Sequence, residues 1–129
     1  MSSPKLKIEE LFIVLKPSGI HGVGVFTDRK IRKGEYLKIW LQNDWKYLRE
    51  PKGRLKKMCI HFGVRHEGGW YSVPKYFVRP SIGWYLNHSD KPNMKITKSG
   101  RVYALQNIKS GIELTIDYKT LDNEIDNSL

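Results

Sequence analysis

The chain has 129 residues, 40% hydrophobic and 12% aromatic, which excludes a disordered polar chain and predicts one folded domain over 1–129. No apolar run approaches the ~20 residues that span a bilayer, and the start "MSSPKLKIEE" lacks the apolar core of a secretory signal. No membrane partner is therefore expected, and the default is a soluble, intracellular protein. The formal net charge of +10 suggests an anionic neighbour, such as nucleic acid or an acidic protein surface.

In chain order, residues 8–15, "IEELFIVL", predict a strand entering the domain. "HGVGVFT", 21–27, sets glycines at alternate positions in a β-branched run, as in a strand approached closely by another backbone or a ligand. "GEYLKIW", 34–40, is a further strand after the turn signal "RKG". Residues 41–68 read as irregular, with at most one short helix near "GRLKKMCIHF". Within them, 46–57 carry six basic residues against one acid, which is either a solvated face or a phosphate-tracking patch. "WYSV", 70–73, predicts a short strand, and "NMKIT" and "RVYAL" predict a hairpin around "KSG". Finally, "NIKSGIELTIDY", 107–118, repeats the order of "KIRKGEYLKI": an Ile and a basic residue, a glycine turn, then a strand. The sum is a mainly β protein with a short acidic tail over 119–129.

The densest run of reactive side chains is "YLNHSDKPN", 85–93. His88, Ser89 and Asp90 are triad residue types, but neighbours on an extended segment point to opposite faces and cannot align as base, nucleophile and orienter. Cys59, His61 and His66 lack the fourth ligand of a structural zinc, and a lone cysteine excludes an intrachain disulfide, so no metal is expected. Asn and Ser before Pro favour self-bonded turns that present main-chain N–H and C=O groups outward. Such groups suit the edge of a flat heterocycle such as adenine, and a purely structural turn is the alternative.

Three segments together resemble the motifs of SET-domain protein-lysine methyltransferases. "GIHGVGVFTDRKIRKGEYL", 19–37, is similar to that family's N-terminal glycine motif. "WYLNHSDKPN", 84–93, is similar to its asparagine–histidine–serine motif, and "NIKSGIELTIDY", 107–118, to its C-terminal motif. The resemblance implies a SET-domain fold: several small β-sheets, short helical segments and a C-terminal pseudoknot that sets the second and third motifs side by side. It implies S-adenosylmethionine as cofactor, received at Gly22, Val23 and Gly24 and held by Asn87 and by the backbone of His88. Tyr118 matches the catalytic tyrosine, and Tyr85 is the aromatic nearest the substrate channel. For Tyr47, Trp70, Tyr71 and Trp84 core packing is the expectation, and Glu113 and Asp117 are read as structural supports.

The implied reaction is in-line methyl transfer to a deprotonated lysine of a partner protein, a histone or another nucleic-acid-associated protein in a cytoplasmic or chromatin setting. The alternative is a catalytically weak or inactive SET-like protein, or a nucleic-acid-binding module. Two departures stand out: Trp84 where the family carries an arginine, and Ile112–Glu113 where it carries paired glutamates. Only eleven residues follow Tyr118, none a cysteine, so the expectation is that a second copy in a homodimer completes the lysine channel or that the site is open.

Overall fold

The computed structural model describes residues 12–40, 44–78, 80–97 and 101–121. Strands β1 (Ile13–Pro17) and β2 (Val23–Thr27) pair antiparallel, with Ile13 opposite Thr27 and Pro17 opposite Val23. Their turn is built by Ser18, whose N–H donates to the carbonyl of Gly22 at 2.7 Å. Its hydroxyl accepts the N–H of Ile20 at 2.9 Å and of His21 at 3.3 Å. Gly22 sits at φ +45°, where a side chain is strained. Residues 8–11 of the predicted first strand lie outside the described residues, and the strand continues to Pro17 instead of ending at 15.

The "GEYLKIW" segment forms a strand only at β3 (Tyr36–Leu37), because Gly83 crosses it: the N–H of Gly83 donates to Ile39 O at 2.6 Å. The 41–68 region is more regular than its sequence suggests. β4 (Lys46–Arg49) pairs with β6 (Trp70–Val73), and after helix α1 (Gly53–Phe62) the short β5 (Val64–Arg65) joins the other edge of β6. β4 escapes sequence reading because "KYLR" alternates with charges at both ends, and its partner supplies the pattern it lacks. Cys59 is the only buried residue of α1; with Tyr71 and Val73 it forms a small core under this lobe.

β7 (Asn87–His88) follows a three-ten turn at Ile82–Tyr85. β8 (Met94–Ile96) and β9 (Val102–Ala104) form the predicted hairpin, drawn together where Thr97 N–H donates to Arg101 O at 2.8 Å; its tip, 98–100, lies outside the described residues. β3 adds to β9 on the other side. β10 (Glu113–Ile116) inserts between β2 and β7, antiparallel to the first and parallel to the second, giving the order β1-β2-β10-β7.

The two similar segments meet in space. Ile31 and Ile108 exchange backbone hydrogen bonds of 2.8 Å in both directions, and both side chains are buried. Each is followed by a glycine with positive φ, Gly34 at +85° and Gly111 at +89°. Around this pair Val25, Leu86, Met94, Leu114 and Ile116 build the main core. Each such side chain contributes roughly 1.5–3 kcal/mol on burial. Among the described residues no helix is long and apolar enough to cross a membrane.

Candidate active site

The parallel pairing of β10 with β7 sets Thr115 opposite Asn87 and Ile116 opposite His88. Asn93 extends that contact past the strand: its Oδ1 accepts Thr115 N–H at 2.9 Å and its Nδ2 donates to Glu113 O at 2.9 Å. The Ser89 N–H donates to Ile116 O at 3.0 Å, and Ser89 Oγ accepts Lys91 N–H at 3.1 Å as a local turn. The 85–93 loop is thereby fixed against the strand that delivers Tyr118.

Tyr118 opens a three-ten turn directly after β10. Its hydroxyl donates to the carbonyl of Leu86 at 2.6 Å, and its backbone N–H donates to His88 Nδ1 at 3.0 Å. An accepting Nδ1 requires the His88 tautomer with its proton on Nε2, which faces Asp90 Oδ1 at 3.0 Å. The His88 and Tyr118 rings lie 5.3 Å apart, centre to centre. Burial pushes the Tyr118 phenol above its usual value of 10, so it stays protonated at neutral pH and donates instead of acting as a base.

On the opposite wall stands the turn before β2. Asn87 Nδ2, with two protons to donate, lies within reach of a shell of acceptors: Glu113 Oε2 at 2.8 Å, Ser18 Oγ at 3.0 Å, His21 O at 3.1 Å and Val23 O at 3.3 Å. Its Oδ1 has no protein partner among the described residues. Ser18 donates to Glu113 at 2.7 Å. This serine was not singled out by sequence reading; the only local signal is the "PSG" that ends β1.

Between these walls runs a cleft of about 530 Å³. Gly22, Val23, Asn87, His88, Tyr85 and Tyr118 all line it. Gly24 does not: a Cβ there would come within 2.7 Å of Glu113 Cδ, so the space beside it belongs to that carboxylate. At Gly22 a Cβ would meet nothing within 4 Å, so the space beside it is open. Sequence reading missed the apolar wall from the end of α1 and beyond, Ile60, Phe62, Val64, Pro74 and Pro80.

Other singled-out residues fall elsewhere. Trp84 lines the cleft, stacks edge-on against Trp40 at 4.8 Å and donates from Nε1 to Asp44 O at 3.0 Å. Tyr71 is core, Tyr47 lies in β4, and Trp70 sits under Arg49 with the guanidinium 5.7 Å from the ring centre. Asp117 accepts Lys119 N–H at 2.9 Å and lies 3.7 Å from His88 Nδ1. Cys59 is buried with its thiol pushed up by desolvation, and His66 is buried against Ser72 Oγ at 2.5 Å. Among the described residues no group of three or more His, Cys, Asp or Glu stands together as a metal site would require.

The fold is that of a SET domain. The family model for the SET domain matches residues 22–119, and the chain belongs to that family. A crystal structure of a Plasmodium falciparum protein, provisionally named a histone methyltransferase, is 28% identical. That match covers 82% of this chain and 96% of that one, with a TM-score of 0.51. A humanized mutant of the Chaetomium thermophilum Polycomb Repressive Complex 2, bound to the inhibitor GSK126, is 20% identical and shares the fold with a TM-score of 0.56. There the match covers 82% of this chain and 14% of the other. No curated protein matches the sequence closely enough to count as a relative.

Proposed function

We propose that the protein is an S-adenosylmethionine-dependent protein-lysine N-methyltransferase. The observation that carries this reading is the single cleft that gathers Gly22, Val23, Asn87, His88 and Tyr118 from three distant segments. Its volume suits a nucleoside-sized ligand, and Asn87 Oδ1, without a protein partner among the described residues, and the open Gly22 suit an amino-acid end with a cationic amine. Gly22, Val23, Asn87 and the His88 backbone would hold the cofactor, which supplies a sulfonium methyl group for in-line transfer to a neutral amine.

The chain's own residues do the rest. A lysine has an ordinary pKa of about 10.4 and arrives protonated. Apolar surface from Val64, Pro74, Trp84 and Tyr85 disfavours the ammonium form and excludes water from the amine. Tyr118 Oη, already donating to Leu86 O, keeps lone pairs free to orient an amine proton or accept a weak contact from a polarised C–H. Positioning of this kind is worth up to ~7–11 kcal/mol in favourable intramolecular cases. The substrate we infer is a lysine of a partner protein, and the histone-methyltransferase name of the Plasmodium neighbour supports that class.

The test is calorimetry with S-adenosylmethionine and its demethylated product, followed by radiolabelled transfer to a protein panel. Binding is expected at micromolar concentration, with labelling that Tyr118→Phe removes. Absence of any cofactor binding would sink the reading.

A further inference from the structure

The cleft leaves unexplained the most charged part of the surface. Residues 44–78, the lobe of β4, β5, β6 and α1, carry eight Lys and Arg against Asp44, Glu50 and Glu67. One of those acids is already spent, since Asp44 is buried and accepts the Ser81 N–H at 2.7 Å. Every basic side chain of the lobe is exposed.

Three of them converge although they come from different elements. Lys52 precedes α1, Lys56 is one turn into it, and Arg65 lies on β5. Together they line a groove of about 490 Å³ with Tyr71 at its floor and Glu50 on its rim. A second depression of about 420 Å³ adjoins it and shares Lys56, Arg65 and Tyr71. Among the described residues none of the three cations makes an ion pair. Arg49, Arg54 and Lys57 stand exposed on the same short stretch of chain.

Lys52, Lys56 and Arg65, lining one groove and without an ion pair among the described residues, suit the successive phosphates of a polyanion, where a point anion would need fewer cations. We propose that this face of the lobe binds the phosphodiester backbone of nucleic acid. The placement has a functional sense, a step that rests on the methyltransferase reading. α1 has ten residues, about 15 Å of helix, with the cationic track at its first turns and Ile60 and Phe62 of the cleft wall at its last. Nucleic acid held at one end of α1 delivers proteins riding on it to the cleft at the other. It also removes the like-charge penalty of a basic enzyme meeting a basic target directly.

Fluorescence anisotropy with labelled 20-base-pair duplex DNA and single-stranded RNA of equal length tests the binding without any methyl transfer. The lobe variant Lys52→Glu/Lys56→Glu/Arg65→Glu is compared with the charge-matched Lys33→Glu/Lys95→Glu/Lys109→Glu, exposed on other parts of the surface. Expected is binding to one or both nucleic acids, weakened about tenfold or more by the lobe variant, whose salt slope falls by about 2–3. The control variant stays within about twofold of the unmodified protein. Should charge reversal unfold the lobe, Lys52→Gln/Lys56→Gln/Arg65→Gln gives the same order with smaller steps. No binding, equal loss in both charge-reversed variants, or tighter binding to polyglutamate or to vesicles of 30% phosphatidylserine overturns the proposal.

Discussion

The hydroxyl of Ser18 donates to the carboxylate of Glu113 at 2.7 Å, tying the β1–β2 turn to the start of β10. Asn87 donates to the same carboxylate and the same hydroxyl, so three segments far apart in sequence share one polar knot. Glu113→Gln keeps the shape but turns one acceptor into a donor facing donors. A loss of about 1–3 kcal/mol is expected, read as a lowered denaturant midpoint with an unchanged slope. Cofactor affinity should fall with it, because the knot sets where Gly22 and Val23 lie. An unchanged midpoint would show that the knot contributes nothing.

The two glycines before and within β2 separate under substitution. Gly24→Ala forces the Glu113 carboxylate away, since the new Cβ would lie 2.7 Å from its Cδ; a cost of about 1–3 kcal/mol is expected. Gly22→Ala meets no atom within 4 Å and costs only about 1–2 kcal/mol for its φ of +45°, yet it intrudes on the cleft wall. The expected pattern is a stability loss at both, with a loss of cofactor affinity beyond it only at Gly22. Melting curves and calorimetry on the pair decide it.

Tyr118→Phe removes the donor to Leu86 O and should cost about 1 kcal/mol of stability. Methyl transfer should fall by about 100-fold or more with cofactor affinity within a few-fold, the split expected of an orienting group. Equal labelling by both proteins would rule out the role.

The same phenol gives a pH dependence. Its folded value lies above the usual 10 because burial disfavours the phenolate. The stability tied to the neutral form is therefore complete below pH 10 and is lost as pH rises through the raised value. Melting temperatures above pH 10 should drop less steeply in Tyr118→Phe than in the unmodified protein. Parallel curves would show that Tyr118 is not the group responsible.

Asn93→Ala orphans the Thr115 N–H and the Glu113 carbonyl, both at the root of the tyrosine turn. About 2–4 kcal/mol is expected, with faster hydrogen exchange at Thr115 as the local signature.

Much of this was legible from the chain. Ile31 and Ile108 lie in two segments alike in sequence, and alternation with glycine turns predicts both strands that follow. Asn87 and His88 sit in the densest polar run, Tyr118 drew notice only through the resemblance of its segment to a family motif, and all three line one cleft. What stayed hidden is what depends on distant partners. Gly24 reads locally as room for a ligand, and only the fold shows Glu113 in that room. Ile60 and Phe62 read as an ordinary amphipathic helix, and nothing in "GRLKKMCIHF" says that its end walls a cleft. β4 is a strand because β6 is beside it.

The insertion of β10 between β2 and β7 sets an order of events during synthesis. Among the described strands the last in the chain is an interior one, and without it no backbone ladder links β2 to β7, leaving the Asn87 side-chain bonds to Ser18, His21 O and Val23 O. Nascent chains that end before Tyr118 therefore hold both halves of the cleft without the strand ladder that joins them. Closing loops that long is slow, and their exposed strand edges are open to mispairing until β10 arrives. Full competence to bind should therefore wait for β10, and a stalled chain ending before Glu113 should bind a ligand more weakly than one that includes Tyr118.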